Sequence, residues 1–161
     1  MFEDLIPELQ EPARDLVYAA GQAGLLPRVT STRRSHGAQV RLWHRWQSGL
    51  SPLPAAPPGT SAHEFGYAFD LVVTPYAALG DVGYTWETWG GIWGRDNDPV
   101  HFQYPGFVAP PVDTSDPWWS MFFPTKAIDV LGGVPAARTQ DYATCVLYSG
   151  LSASECRKLN R

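Results

Sequence analysis

Residues 60–70 read TSAHEFGYAFD, and a shorter stretch at 98–102 reads DPVHF. Between them they offer two imidazoles, His63 and His101, and one carboxylate, Asp70. Two imidazoles and a carboxylate are a ligand set that holds a zinc ion and leaves its fourth position open. An open position is what metal-assisted hydrolysis requires. Asp98, three residues before the second histidine, is then a candidate general base that takes a proton from the attacking water. Asp70 lies inside the apolar run Tyr67–Val73, where an unpaired carboxylate is costly. A bound cation removes that cost, and a salt bridge is the competing explanation.

The spacing constrains the local fold. His63 and Asp70 are an odd number of residues apart, so one straight strand would put them on opposite faces. A turn at Gly66, leading into a strand over Tyr67–Val73, is therefore required if both are to meet one ion. Pro99 disfavours helical geometry at Asp98, so the second stretch reads as an extended segment entering a strand over His101–Tyr104. In that strand His101 and Gln103 share one face, with Phe102 and Tyr104 on the other. Glu64 imitates the base of a His-Glu zinc helix, but the position four after His63 is Tyr67, so Glu64 is read as structural or supporting. His36 and His44 have no such context and read as surface residues.

Upstream, apolar positions Leu5, Leu9, Ala13, Leu16, Val17 and Ala20 recur at three and four and predict an amphipathic helix over Leu5–Ala23. Gly24 closes it, Pro7 suits its first turn, and Pro12 predicts a kink or a late restart. A short strand over Leu25–Ser31 follows, delivering Arg33 and Arg34 to an edge or loop. A second helix over Gly37–Gln47 carries Val40, Trp43 and Trp46 and ends at Gly49. The five breakers Pro52, Pro54, Pro57, Pro58 and Gly59 make residues 50–60 a loop that leads into the histidine motif.

Ser61, His63, Gly66, Ala68 and Asp70 together resemble the pattern of a zinc peptidase family, the D-alanyl-D-alanine carboxypeptidases and L-alanyl-D-glutamate peptidases, which includes VanY-like enzymes and phage endolysins. The resemblance continues into residues 89–93, WGGIW, and 98–103, DPVHFQ, and is weaker at Arg34, Ser35 and Gln39. It implies an α+β, hedgehog/D,D-peptidase-like fold, a small antiparallel sheet carrying the zinc site with flanking helices. It implies that Arg34 binds a substrate carboxylate, with Ser61 and Gln39 as supporting hydrogen-bond partners. The family's Gly-Tyr-Arg is Thr32-Arg33-Arg34 here, which leaves open which arginine points inward. Relatives acting as D,D-carboxypeptidases carry Glu where this chain has Asp98, whereas the L-alanyl-D-glutamate branch resembles it in having Asp. Trp89 and Trp93 read as pocket wall and core.

At 161 residues the chain suits one domain with an appended segment: a peptidase core over 1–108 and an extension over 109–161 packed on it. Hydrophobic residues at 44% and seven tryptophans mark a globular chain. A net charge of −4 gives no electrostatic case for nucleic acid or an anionic membrane. No apolar run approaches the ~20 residues that span a bilayer, and the first residues carry no signal-peptide pattern. The expected route to a wall substrate is therefore phage lysis or carriage in a virion. In the extension, the aromatic cluster Trp118, Trp119, Phe122 and Phe123 is expected to pack inward, and Thr139–Tyr148 and Ser152–Leu159 to be helical. Cys145 and Cys156 are expected as free thiols. The expected function is zinc-dependent hydrolysis of the peptidoglycan stem peptide at the L-alanyl-D-glutamate bond. The alternatives are a D,D-carboxypeptidase and a zinc-binding module without turnover.

Overall fold

The computed structural model of the chain describes residues 1–118. Residues 1–112 form one compact unit, and a second begins at Asp113. The expected C-terminal helices, both cysteines and the aromatics Trp119, Phe122 and Phe123 lie outside the described residues.

The order of elements is α1 (Pro7–Gln22), β1 (Leu26–Ser31), α2 (His36–Gln47), β2 (Ala68–Thr74), a 3-10 turn (Tyr76–Ala78), α3 (Leu79–Thr88), β3 (Ile92–Trp93) and β4 (His101–Gln103). The strands make one antiparallel sheet in the order β1-β2-β4-β3. This is the α+β arrangement expected from the sequence.

One face of the sheet is the core. Phe69, Leu71 and Val73 of β2, Phe102 of β4 and Trp93 of β3 are buried against Leu9, Ala13, Leu16 and Ala20 of α1 and Leu79, Val82 and Trp86 of α3. Phe69 stacks on Phe102 with centroids 5.4 Å apart, and Trp86 meets Phe69 edge-on at 5.6 Å. Helix α1 begins with Pro7 in its first turn, where the missing amide would be unpaired anyway. It runs through Pro12 as one helix, with Gly24 at φ +80° just past its end. Its apolar stripe is buried by the sheet, and that burial outweighs the backbone bond lost at Pro12.

Helix α3 and strand β3 had no counterpart in the sequence reading. The signal was present, since Leu79, Val82, Gly83 and Trp86 fall at helical spacing and all are buried. Gly83 and Gly91 are fixed by packing: a Cβ on Gly83 would overlap the Trp93 indole, and one on Gly91 the Trp86 indole. Trp93 is thus a core residue as expected, whereas Trp89, at the end of α3, is 48% exposed.

The opposite face takes its character from parity. Ala68 and Asp70 of β2 pair with Gln103 and His101 of β4, so these side chains point away from the core that Phe69 and Phe102 fill. The turn required between His63 and Asp70 is present: Gly66 N–H donates to the His63 carbonyl at 3.3 Å and Tyr67 N–H to the Ala62 carbonyl at 2.9 Å. Gly66 has φ +75°, and a Cβ there would come within 3.0 Å of the Asp4 carbonyl and 3.2 Å of the Ile6 nitrogen. Gly24 has a similar φ with nothing within 4 Å.

The two glycines therefore separate strain from crowding. Gly24→Ala is expected to cost about 1 kcal/mol, the left-handed penalty alone, and Gly66→Ala more than that, both read as shifts in urea-unfolding free energy.

Candidate metal centre

Three side chains converge on the face opposite the core. His63 Nε2 lies 3.1 Å from Asp70 Oδ1 and 3.2 Å from His101 Nδ1. His101 Nδ1 lies 3.6 Å from Asp70 Oδ1. All three donor atoms fall within 4.8 Å of one another, so one ion could be held by all of them.

Each ligand owes its place to a different piece of local structure. Asp70 and His101 are direct partners across the β2–β4 pair. His63 arrives from the turn before β2, and its backbone carbonyl accepts from Arg34 N–H at 2.9 Å. The β1–β2 pairing shifts register between Val29 and Ser31. Just past the end of β1, the Thr32 carbonyl lies 2.7 Å from His63 Nδ1.

These contacts decide the tautomers. A carbonyl can only accept, so His63 Nδ1 carries the proton and Nε2 presents a lone pair to the centre. His101 is arranged in mirror fashion: Nε2 donates to Gln103 Oε1 at 3.3 Å, leaving Nδ1 facing inward. The Thr32 carbonyl and the Gln103 amide were not identified as site groups from the sequence. For Gln103 the signal was available, since it shares the His101 face of one strand. For Thr32 there was none, because a backbone carbonyl has no side-chain signature.

Two imidazole lone pairs aimed at a carboxylate oxygen are mutually repulsive unless a positive charge lies between them, and a divalent cation supplies it. In the metal-free protein an inward proton on an imidazole does the same work, and the ionisation of the groups reflects that proton. Burial works to raise the Asp70 pKa, but hydrogen bonds and charge from His101 and His63 outweigh it and hold the carboxyl well below its ordinary range. Burial works to lower His101, and the bond and charge of Asp70 outweigh it, so this imidazole is pushed up.

Arg34 is the inward arginine. Its Nη2 lies 3.6 Å from Asp70 Oδ2 and its Nη1 donates to Gln39 Oε1 at 2.7 Å. Gln39 is buried at 1% exposure, and its amide nitrogen donates to the Ala56 carbonyl at 2.7 Å. It thus ties α2 and the proline-rich loop to the arginine. Arg33 turns aside, donating from Nε to the Glu64 carbonyl at 3.2 Å. The Glu64 carboxylate is occupied by Gly59 N–H, Ser61 N–H and His36. It braces the loop that precedes His63 and does not join the three ligands.

Asp98 sits at the margin of the site, where the charges of His101, Asp70, His63 and Arg34 all act on it. The residue as a whole is exposed, yet partial burial of its carboxyl, reinforced by Asp70, raises its pKa against the opposing pull of His101. Ser61 is buried in the turn before His63, and its hydroxyl makes no hydrogen bond among the described residues. Among the described residues no helix is long and apolar enough to cross a membrane.

A family model described as VanY, D-alanyl-D-alanine carboxypeptidase, matches residues 3–89. That span holds Arg34, Gln39, Ser61, His63 and Asp70 and ends before Asp98 and His101. No curated protein matches the chain. Among solved structures, the chain resembles a mutant of the vancomycin-resistance D,D-pentapeptidase VanY from a VanB-type resistance cassette, in complex with Zn(II). The TM-score is 0.52 with 21% identity, covering 63% of this chain and 73% of that one. It also aligns with VanYB in complex with D-alanine-D-alanine, at a TM-score of 0.49 and 19% identity over 98% of this chain and 84% of that one.

The tautomer-fixing contacts carry an expectation. Gln103→Ala is expected to weaken zinc binding about 10- to 100-fold while leaving the fold intact, measured by competition with a chromophoric chelator and by circular dichroism.

Proposed function

The chain belongs to the VanY family of D-alanyl-D-alanine carboxypeptidases, and from that membership we propose that it is a zinc-dependent peptidase of the peptidoglycan stem peptide. The observation that carries the reading is the convergence of His63 Nε2, Asp70 Oδ1 and His101 Nδ1, with both histidines held in the metal-binding tautomer. Bound by these three, zinc supplies the Lewis acidity that polarises a carbonyl and acidifies water.

The remaining work falls to the chain's own side chains. Asp98 accepts a proton from the attacking water and returns it to the leaving amine. Arg34, oriented by Gln39, offers its remaining donors to a substrate carboxylate, and the Ser61 hydroxyl is available as a second donor. An arginine suits a carboxylate because its donors form a rigid planar fork.

Within that class the finer reading is cleavage of the L-alanyl-D-glutamate bond, as in endolysins acting on the wall. It is supported by aspartate at position 98, in the manner of that branch of the family. The second reading, removal of terminal D-alanine, is favoured by the description of the matching family itself. Defined stem peptides separate the two. The endopeptidase releases L-alanine-terminated fragments and leaves D-Ala-D-Ala intact, whereas the carboxypeptidase releases free D-alanine. A zinc-loaded protein that cuts none of them would favour a binding module.

Two outcomes are expected of the enzyme itself. Chelation of zinc abolishes hydrolysis and re-addition restores it. Asp98→Ala retains about one zinc per chain while kcat falls by roughly 100-fold or more, followed by metal analysis and amine release from the same preparation.

A further inference from the structure

The loop between β3 and β4 carries Asp98, and its backbone is closed on itself. Gly94 N–H donates to the His101 carbonyl at 3.0 Å, Asp98 N–H to Gly94 at 3.2 Å, and His101 N–H to Asp98 at 3.0 Å. A Cβ on Gly94 would run into the Asp98 carbonyl, so the two ends of the loop are in direct contact. On one side the Trp93 indole N–H donates to the Pro99 carbonyl at 2.7 Å.

Arg95 stands at φ +50°, the one non-glycine residue with positive φ among the described residues. Arginine has no local preference for that conformation, unlike glycine or asparagine. Its side chain shows what holds it there. Nε and Nη2 form two parallel bonds to Glu87 of α3, at 3.0 and 2.9 Å. The guanidinium also lies over the Tyr84 ring, 5.8 Å from its centroid. Tyr84 and Glu87 are three residues apart and share a helix face, and Tyr84 in turn meets Trp93 edge-on at 5.3 Å. The loop is therefore gripped from α3 at Arg95 and from β3 at Trp93, with Asp98 held between the two grips.

We propose that Arg95, clamped by Glu87 and Tyr84, is a positioning residue that fixes the loop in the conformation presenting Asp98 to the metal centre. This rests on Asp98 acting as the general base. Arg95 is exposed, and a pair of that kind adds little to global stability, so the clamp acts on the placement of the base. A displacement on the scale of 1 Å at a reacting group is enough to cost about 100-fold in rate.

The test is steady-state hydrolysis of a stem peptide by the zinc-loaded parent and by Glu87→Gln, Arg95→Ala, Arg95→Gly, Arg95→Lys and the E87Q/R95A double variant. Asp98→Ala is assayed alongside, with zinc content and Tm recorded for each. The clamp predicts kcat lowered about 10- to 100-fold in Glu87→Gln and Arg95→Ala, with KM, zinc content and Tm near the parent. Arg95→Lys recovers part of the loss. Arg95→Gly relieves the positive-φ strain, so it is no less stable than the parent, yet it loses kcat as Arg95→Ala does. The double variant is no slower than the slower single, because both remove one interaction. Parent-like kcat in Glu87→Gln or Arg95→Ala overturns the clamp, as does a loss that tracks zinc content or Tm. If those variants run at full rate while Asp98→Ala is inactive with zinc bound, the clamp fails and the base assignment stands. If Asp98→Ala turns over like the parent, the base assignment fails and the clamp with it.

Discussion

Asp70 and His101 face each other across one antiparallel pair, and the geometry of the centre depends on that register. Directly opposite residues on one sheet face have Cβ atoms about 5 Å apart, a distance from which two side chains can reach one ion. A one-residue slip of either strand would send its ligand into the core and bring its phenylalanine, Phe69 or Phe102, out onto the site face. The core therefore enforces the site: the Phe69–Phe102 stack and the edge contact from Trp86 make the slipped register costly. Asp70 and His101 need no other guidance to meet. His63 does, and it is brought in by Gly66, whose missing side chain lets the turn pass against the N-terminal segment at Asp4 and Ile6.

The same economy appears in the protonation of the ligands. Each histidine has its outer nitrogen engaged by an acceptor that β-structure positions, the Thr32 carbonyl at the bulged end of β1 and the Gln103 amide two residues along β4. Outer acceptors of this kind choose the tautomer and strengthen the donor before any ion arrives. Asp70 divides its two oxygens, Oδ1 toward the imidazoles and Oδ2 toward Arg34. A carboxylate so placed is ionised across the working pH range, and the ligand set is ready to bind without first losing a proton from Asp70.

Much of this was legible in the chain. The odd spacing of His63 and Asp70 demanded a turn, Gly66 was the residue able to make it, and the parity of His101 and Gln103 placed them on one face. The first helix was readable from its stripe despite Pro12, because burial of Leu9, Ala13 and Leu16 decides the matter. Helix α3 was passed over because its short stripe is embedded in a segment rich in glycine and aromatic residues, where the helical period is hard to separate from the tryptophan-glycine motif after it. The choice between Arg33 and Arg34 was not legible, since both are equally charged and adjacent. It is settled by Gln39, a buried amide seventeen residues from its carbonyl partner Ala56, and no local pattern announces such a contact. The proposed clamp on the Asp98 loop was invisible for a related reason: positive φ at an arginine contradicts local preference, and the contacts Arg95 makes there are with Glu87 and Tyr84 on another element.

Charge ties the proposed substrate to the site. With a divalent cation held by the three ligands, its charge and that of Arg34 would exceed the charges of Asp70 and Asp98 by one when both acids are ionised. A neutral peptide segment would leave that charge confined in a partly buried place, which is unfavourable. A peptide carrying a carboxylate within reach of Arg34 neutralises it, and binding then contributes orientation as well as attraction. On the proposed mechanism Asp98 would become neutral as it takes up the proton of the attacking water, and the local field would turn more positive at the moment negative charge develops on the scissile carbonyl. The group proposed to remove the proton would thereby also strengthen the electrostatic stabilisation of the transition state. An aspartate held at a fixed distance by a closed loop serves this better than a freely moving side chain, because the effect depends on where its charge disappears.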